Sequence, residues 1–343
     1  MKAIQLEQPK HFRVIDVPEP PPPGPGDAVV RVFRVGVCGT DYSGYLGKMP
    51  FFSYPRIPGH ELGVEVVSVG PGVTNMKPGD RAAIEPYINC QTCYSCTRGF
   101  TNCCENHKTL GVHIDGGLCP LFTIPARKLH VSAKLTYEQL ALVETLGIGL
   151  HAINRANPKP DETVLVIGAG PIGLSVIEFA KLAGARVIVM DLNEQRLRFA
   201  REKMGVAETI SAKSFDDDVK TFTDLTGGKL GNVVVDATGS AKSMSAAYNF
   251  VGFGGRLVWV GITQDQLAVM QPLMHRREMS FLASRNAQSP EFTRIVRLIE
   301  GGMIDTRPWI THTAPFEAMI ERFPGWMNPD AGVVKAMVEM PVN

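Results

Sequence analysis

The chain has 343 residues, long enough for two domains at the usual ~100–200 residues each. It carries 35 Lys+Arg against 34 Asp+Glu, a net charge of +1, with 44% hydrophobic and 20% charged residues. That balance excludes a disordered chain and a coiled coil, and it supplies no general basic field for gripping nucleic acid.

The first residues, Met1-Lys2-Ala3-Ile4-Gln5-Leu6-Glu7, lack an apolar signal core. The longest run without charge, Thr163–Ile177, is broken by Gly168, Gly170, Pro171 and Gly173, and it is shorter than the ~20 residues a bilayer span needs. A cytoplasmic protein with no membrane partner is expected, and there the seven cysteines need a reason other than disulfides. The first half then reads as β structure, with strands such as Ala28–Val32 and Leu62–Val67 bounded by Gly/Pro turns. The proline run Pro18–Gly26 between them reads as a stiff surface turn rather than a polyproline ligand.

Metal-type residues come next. Cys38 stands in Val37-Cys38-Gly39-Thr40-Asp41, and Gly59-His60-Glu61 follows. Cys90, Cys93, Cys96 and Cys104 form C-x2-C-x2-C-x7-C in a turn-rich lobe at about 88–106. Four thiols this dense suit a closed, tetrahedral, structural zinc site, whereas a redox Cys-x-x-Cys would not call for four. Cys103, one residue out of register, and Cys119, in an apolar stretch, read as packing residues. Glu144 is a lone carboxylate inside Leu140–Ile148, costly to bury without a cation or metal. Cys38, His60 and Glu144 together could leave a zinc one open position for a substrate oxygen. Taken singly, they also read as a buried thiol, a hydrogen-bonded histidine and a helix-surface acid.

From Asp161 the period changes to apolar runs alternating with helical patterns, the mark of βα units on a parallel sheet. Strands are expected at Val164–Ile167, Arg186–Met190, Glu208–Ser211, Asn232–Val235, Arg256–Val260 and Met279–Ala283, after a border at Asn157–Pro160. Gly168-Ala169-Gly170-Pro171-Ile172-Gly173 matches G-x-G-x-x-G directly after the first of them. A helix should follow, with Pro171 in its first turn and Gly184 just past its end. The glycines allow a pyrophosphate to approach the free N–H groups of that helix start. Asp191, closing the second strand, can hold both ribose hydroxyls of NAD and would repel the extra phosphate of NADP. A helix at Phe292–Gly301 leads to the tail.

These motifs, in this order, resemble the zinc-containing medium-chain alcohol/polyol dehydrogenase family over nearly the whole chain. The resemblance implies an α/β protein with a GroES-like β-rich catalytic domain (1–148) and a doubly wound, parallel-sheet Rossmann coenzyme domain (149–287). A C-terminal segment (288–343) would return to the catalytic domain. It implies NAD and two zinc ions per subunit: a catalytic one on Cys38, His60 and Glu144, with Glu61 an alternating or outer ligand, and a structural one on Cys90, Cys93, Cys96 and Cys104. Thr40 matches the family's proton-relay hydroxyl, while Ser43 stands where many members carry a relay histidine. Coenzyme contacts carry over to Ile172, Asp191, Arg196, Val260, Gly261, Ile262, Ser284 and Arg285, besides Gly168, Gly170, Pro171 and Gly173. A homodimer or homotetramer is expected.

In such a site an alcohol loses its proton and then gives hydride to the nicotinamide. Tyr42, Tyr45, Phe51, Phe52, Arg56, His113, Asp115 and Asn286 are candidates for the substrate wall. A cationic Arg285 favours a polyhydroxylated or carboxylated substrate over a plain alcohol. Tyr54–Glu61 with Leu110–Gly117 resembles the branch acting on sugar acids of the L-galactonate/L-gulonate type, with L-threonine 3-dehydrogenase and sorbitol dehydrogenase as alternatives. A non-catalytic NAD-binding sensor or structural protein is the alternative of another class. Lost zinc ligands would mark it, and all eight positions are filled.

Overall fold

The computed structural model describes residues 1–341 and divides into two compact units. One comprises Met1–Thr145 together with the chain from Ala287 onward, and the other is Leu146–Asn286.

The first unit is built on a strand, Asp27–Val37, whose β-branched run favours extended backbone. It pairs antiparallel with Glu61–Val69, Leu121–Pro125 and Lys335–Glu339. Arg81–Ile84 and Leu129–Val131 extend the sheet on one side, and Ile310–Pro315 closes it on the other, parallel to Lys335–Glu339. The inward side chains Val30, Val32, Leu62, Val64 and Ile124 pack with Phe323 and Trp326 from the returning segment. That segment therefore supplies core as well as sheet. The Glu144 run lies on the long helix Tyr137–Ala156, which carries the chain into the second unit.

The second unit is one parallel sheet in the order Glu208–Ser211, Arg186–Asp191, Thr163–Ile167, Gly231–Asp236, Val251–Trp259, Ser280–Ala283. This is the doubly wound dinucleotide-binding order. Its strands are buried Val/Ile/Leu runs, as expected for a sheet covered on both faces. The fifth strand begins earlier than the sequence suggests, at Val251. Gly252, Gly254 and Gly255 hide it from a search for β formers, yet Val251 already pairs with Gly231. The helix expected at Phe292–Gly301 runs Ser289–Glu300, with Pro290 in its first turn. No helix among the described residues is long and apolar enough to cross a membrane.

Candidate zinc and dinucleotide sites

Cys38 closes the edge of the central strand and is the N-cap of a short helix, Gly39–Tyr45. Asp41, in that helix, turns one carboxylate oxygen back to accept the Cys38 N–H at 2.9 Å. Its other oxygen lies 3.8 Å from Nδ1 of His60, and neither of these two buried atoms has a hydrogen-bond partner. At that distance the carboxylate makes no hydrogen bond to the imidazole, but its charge raises the ring's basicity. The His60 ring also reaches the Cys38 thiol. In the sequence Asp41 is only part of a motif; in the fold it holds the Cys38 N–H and sets its second oxygen facing His60.

Ligand atoms of Cys38, His60 and Glu61 lie within 4.8 Å of one another. These are mixed S, N and O donors in a nearly buried setting, and they fit zinc. Glu61 is also strongly held. Both its oxygens accept from Lys335 Nζ, at 2.6 and 2.7 Å, and one accepts from Thr145 Oγ1 at 2.8 Å. Gly36 faces it across the strand pair, and a Cβ there would stand 2.1 Å from the Glu61 carboxylate. Glu144 is buried nearby but outside this tight group, and it accepts a hydrogen bond from the Tyr87 phenol. Burial pushes its carboxyl pKa up. Two carboxylates thus flank the site, each restrained by its own donor. Thr40 sits half-buried in the first turn after Cys38.

The four lobe cysteines also gather within 4.8 Å. Sulfur pairs Cys90–Cys104 and Cys93–Cys104 lie 3.6 and 4.0 Å apart. A tetrahedron with Zn–S of ~2.3 Å has edges of about 3.8 Å, whereas a disulfide would bring two sulfurs to ~2.05 Å. All are free thiols, so the spacing fits zinc. Backbone N–H groups of Thr92 and Cys93 pull the Cys90 thiol down to about 5, toward the thiolate a metal requires. Cys119 is buried as expected, but Cys103 is exposed rather than packed, because in its short 3-10 turn (Thr101–Cys103) it is Asn102 that faces inward.

In the second unit the strand ends at Ile167, Asp191, Asp236, Trp259 and Ala283 share one edge of the parallel sheet. Pro171 begins the helix Pro171–Leu182, with Gly170 as an N-cap that offers no side-chain bond to the first N–H groups. Those donors stay open to an anion. Gly168 has φ +97°, and Gly184 follows the helix with φ +79°. Asp191 accepts from Ala169 N at 2.6 Å and Asn193 N at 2.7 Å, and Arg196 Nη1 lies 3.9 Å away. The glycine turn, the acid and Arg196 are therefore together, with Ile172 half-buried beside them. Val260 and Gly261 stand on the Asp236 carbonyl, Ile262 is exposed, and Ser284 and Arg285 follow the sheet's edge strand.

Of the substrate-wall candidates, Arg56 and Asp115 bind each other at 3.0 Å, and Asp115 also accepts from Ile57 N. They brace the loop before His60. Phe52 is buried in the core, while Phe51 is exposed and stacks on His113.

Residues 24–134 match the description "Alcohol dehydrogenase GroES-like domain" and residues 171–301 "Zinc-binding dehydrogenase". The chain is 36% identical over 324 residues to L-galactonate-5-dehydrogenase of Escherichia coli K12, covering 94% of each. It is 32% identical to L-arabinitol 4-dehydrogenase of Hypocrea jecorina, covering 92% of this chain and 85% of that one. An alcohol dehydrogenase of Escherichia coli CFT073 crystallised with NADH superposes with a TM-score of 0.90 at 27% identity, over 99% of each chain.

Proposed function

Because the chain belongs to the zinc-type medium-chain alcohol/polyol dehydrogenase family, we propose that it oxidises a secondary alcohol of a sugar acid or polyol with NAD, a hexonate of the L-galactonate or L-gulonate kind. The likeness to L-galactonate-5-dehydrogenase carries the substrate class. The zinc and coenzyme chemistry goes with the family.

When bound, zinc acidifies an alcohol as a Lewis acid and NAD accepts the hydride. The chain's own residues do the rest. Cys38 and His60 hold the catalytic metal, with Glu144 and Glu61 as the competing carboxylates. Asp41 sets its charge facing the His60 ring, and Thr40 passes the alcohol proton outward. Cys90, Cys93, Cys96 and Cys104 hold the structural metal. Gly168, Gly170, Pro171, Ile172 and Gly173 receive the pyrophosphate. Asp191 and Arg196 receive the adenosine ribose, and Val260, Gly261, Ile262, Ser284 and Arg285 complete the coenzyme edge. Domain borders at 148/149 and 287/288, close to the division after Thr145 and Asn286, a homodimer or homotetramer, and a cytoplasmic setting accompany this reading.

Asp191→Ser should weaken NAD and improve NADP, since it removes both the ribose acceptor and the charge that repels the 2′-phosphate. Kinetics with both coenzymes check this, and a wild type already preferring NADP would refute it. Substrate class turns on Arg285. A guanidinium at a strand's carboxyl end can fork onto a carboxylate, a charged hydrogen bond worth about 1.5–3 kcal/mol. An NAD-linked screen across aldonates, polyols, L-threonine and simple secondary alcohols tests the proposal. Arg285→Leu should lower kcat/KM for the aldonate on the order of ten- to a hundred-fold, and much less for simple alcohols, which lose only what Arg285 gives the coenzyme. Equal losses on both classes would leave Arg285 its coenzyme role alone and remove the argument for a sugar acid.

A further inference from the structure

Beside the four-cysteine lobe lies a polar side chain that the ligand set does not use. Asn89 is buried next to Cys90, and its amide is fixed at both ends. Nδ2 donates to the Cys96 sulfur at 3.5 Å. Oδ1 accepts from Arg127 Nη1 at 2.7 Å, and the Asn89 carbonyl accepts from Arg127 Nη2 at 2.8 Å. The guanidinium fork thus clasps the side chain and main chain of one residue. Its neighbour Lys128 pairs with Glu85, but among the described residues no carboxylate pairs with Arg127.

Charge explains the arrangement. Four thiolates around one zinc leave a net negative centre, and an N–H donated to a thiolate draws density off the sulfur. The Arg127 fork requires the Asn89 oxygen on its own side, so the amide must present N–H to Cys96. A flipped amide would set its oxygen against the thiolate and its NH2 against the guanidinium. We propose that Arg127 and Asn89 are a clamp on the lobe metal: positioning residues whose hydrogen-bond relay to Cys96 retains the zinc. This rests on the reading of the lobe as a zinc site.

The test uses the metal-loaded protein and a chromogenic chelator, 4-(2-pyridylazo)resorcinol, with release followed over time. A parallel sample loaded with cadmium separates the sites, because a tetrathiolate ¹¹³Cd resonance is distinct from that of a mixed S/N/O site. Arg127→Met should lose the lobe metal on the order of 10–100-fold faster, the usual cost of removing an outer-shell partner. Asn89→Ala should do the same, and the double variant should be no worse than Asn89→Ala alone, because both act through one bond to sulfur. Arg127→Lys should fall between, since an ammonium cannot fork onto the side chain and the carbonyl together. The mixed-donor metal should leave at the wild-type rate in every variant. Arg127→Met protein that keeps its lobe metal as long as wild type overturns the clamp. Wild-type protein with no tetrathiolate resonance overturns the zinc reading beneath it, and the clamp falls with it.

Discussion

Lys335→Met is expected to destabilise the metal-free protein by about 3–5 kcal/mol, the cost of breaking a buried ion pair from one side. Lys335 and Glu61 are both almost wholly buried. The ammonium sits 2.6 and 2.7 Å from the two Glu61 oxygens and donates to the Val37 carbonyl at 3.3 Å. Methionine fills much of the same volume, so lost charge rather than a cavity dominates. Glu61 would be left with the Thr145 hydroxyl as its side-chain donor, at 2.8 Å, far too little for a carboxylate out of water. Denaturant midpoints in chelator-treated protein measure the effect. Adding Glu61→Gln to Lys335→Met should restore a large part of the loss, because no charge then remains to be left alone. A Lys335→Met midpoint shift worth under ~0.5 kcal/mol, the scatter of surface substitutions, would show that the pair does not hold the site.

The second large effect separates two glycines of one motif. A Cβ on Gly173 would stand 1.7 Å from the Gly168 carbonyl oxygen, with no flexible side chain to yield. Gly173→Ala must push the helix Pro171–Leu182 away from the strand Thr163–Ile167, at the ~1–3 kcal/mol of overpacking or more. It should also spoil the turn proposed to receive the pyrophosphate. A Cβ on Gly170 meets nothing nearer than Arg196 Nη1 at 3.8 Å, and its φ of −75° suits any residue. Gly170→Ala should therefore melt like wild type while still weakening NAD, whose pyrophosphate needs the space the methyl takes. Thermal melts and NADH fluorescence titration of both variants distinguish the cases. Equal melting temperatures for the two would contradict the packing argument.

Much of this was legible in the sequence for a physical reason. The coenzyme sheet is made of short, doubly buried apolar runs, and each strand announces itself locally. The glycine turn is legible because it is a backbone requirement met by adjacent residues. The lobe cysteines are legible because few other chemistries gather four thiols so densely, whereas Cys38 and His60, each open to a bland reading, stand out only through the family resemblance. What the sequence hid are partners that only the fold brings together. Lys335 reaches Glu61 across 274 residues of sequence, and Tyr87 reaches Glu144 from a two-residue strand. Asp41 looks like an ordinary capping acid until its second oxygen is seen behind His60. The Asp115–Arg56 pair shows the reverse, two charged residues that invite a substrate but bind each other.

The unit holding the metal residues is assembled from two separated stretches of chain, whereas Leu146–Asn286 is continuous. During synthesis this inverts the usual N-terminal-first order of domain folding. The ribosome delivers Cys38, His60 and Glu61 early, yet the strand bearing Lys335 emerges only after the whole of Leu146–Asn286. Until then Glu61 lacks its counter-charge and the central strand lacks one of its neighbours. The nascent chain can complete its coenzyme unit first, and it can close the metal centre only after that unit and the returning strand have both been made.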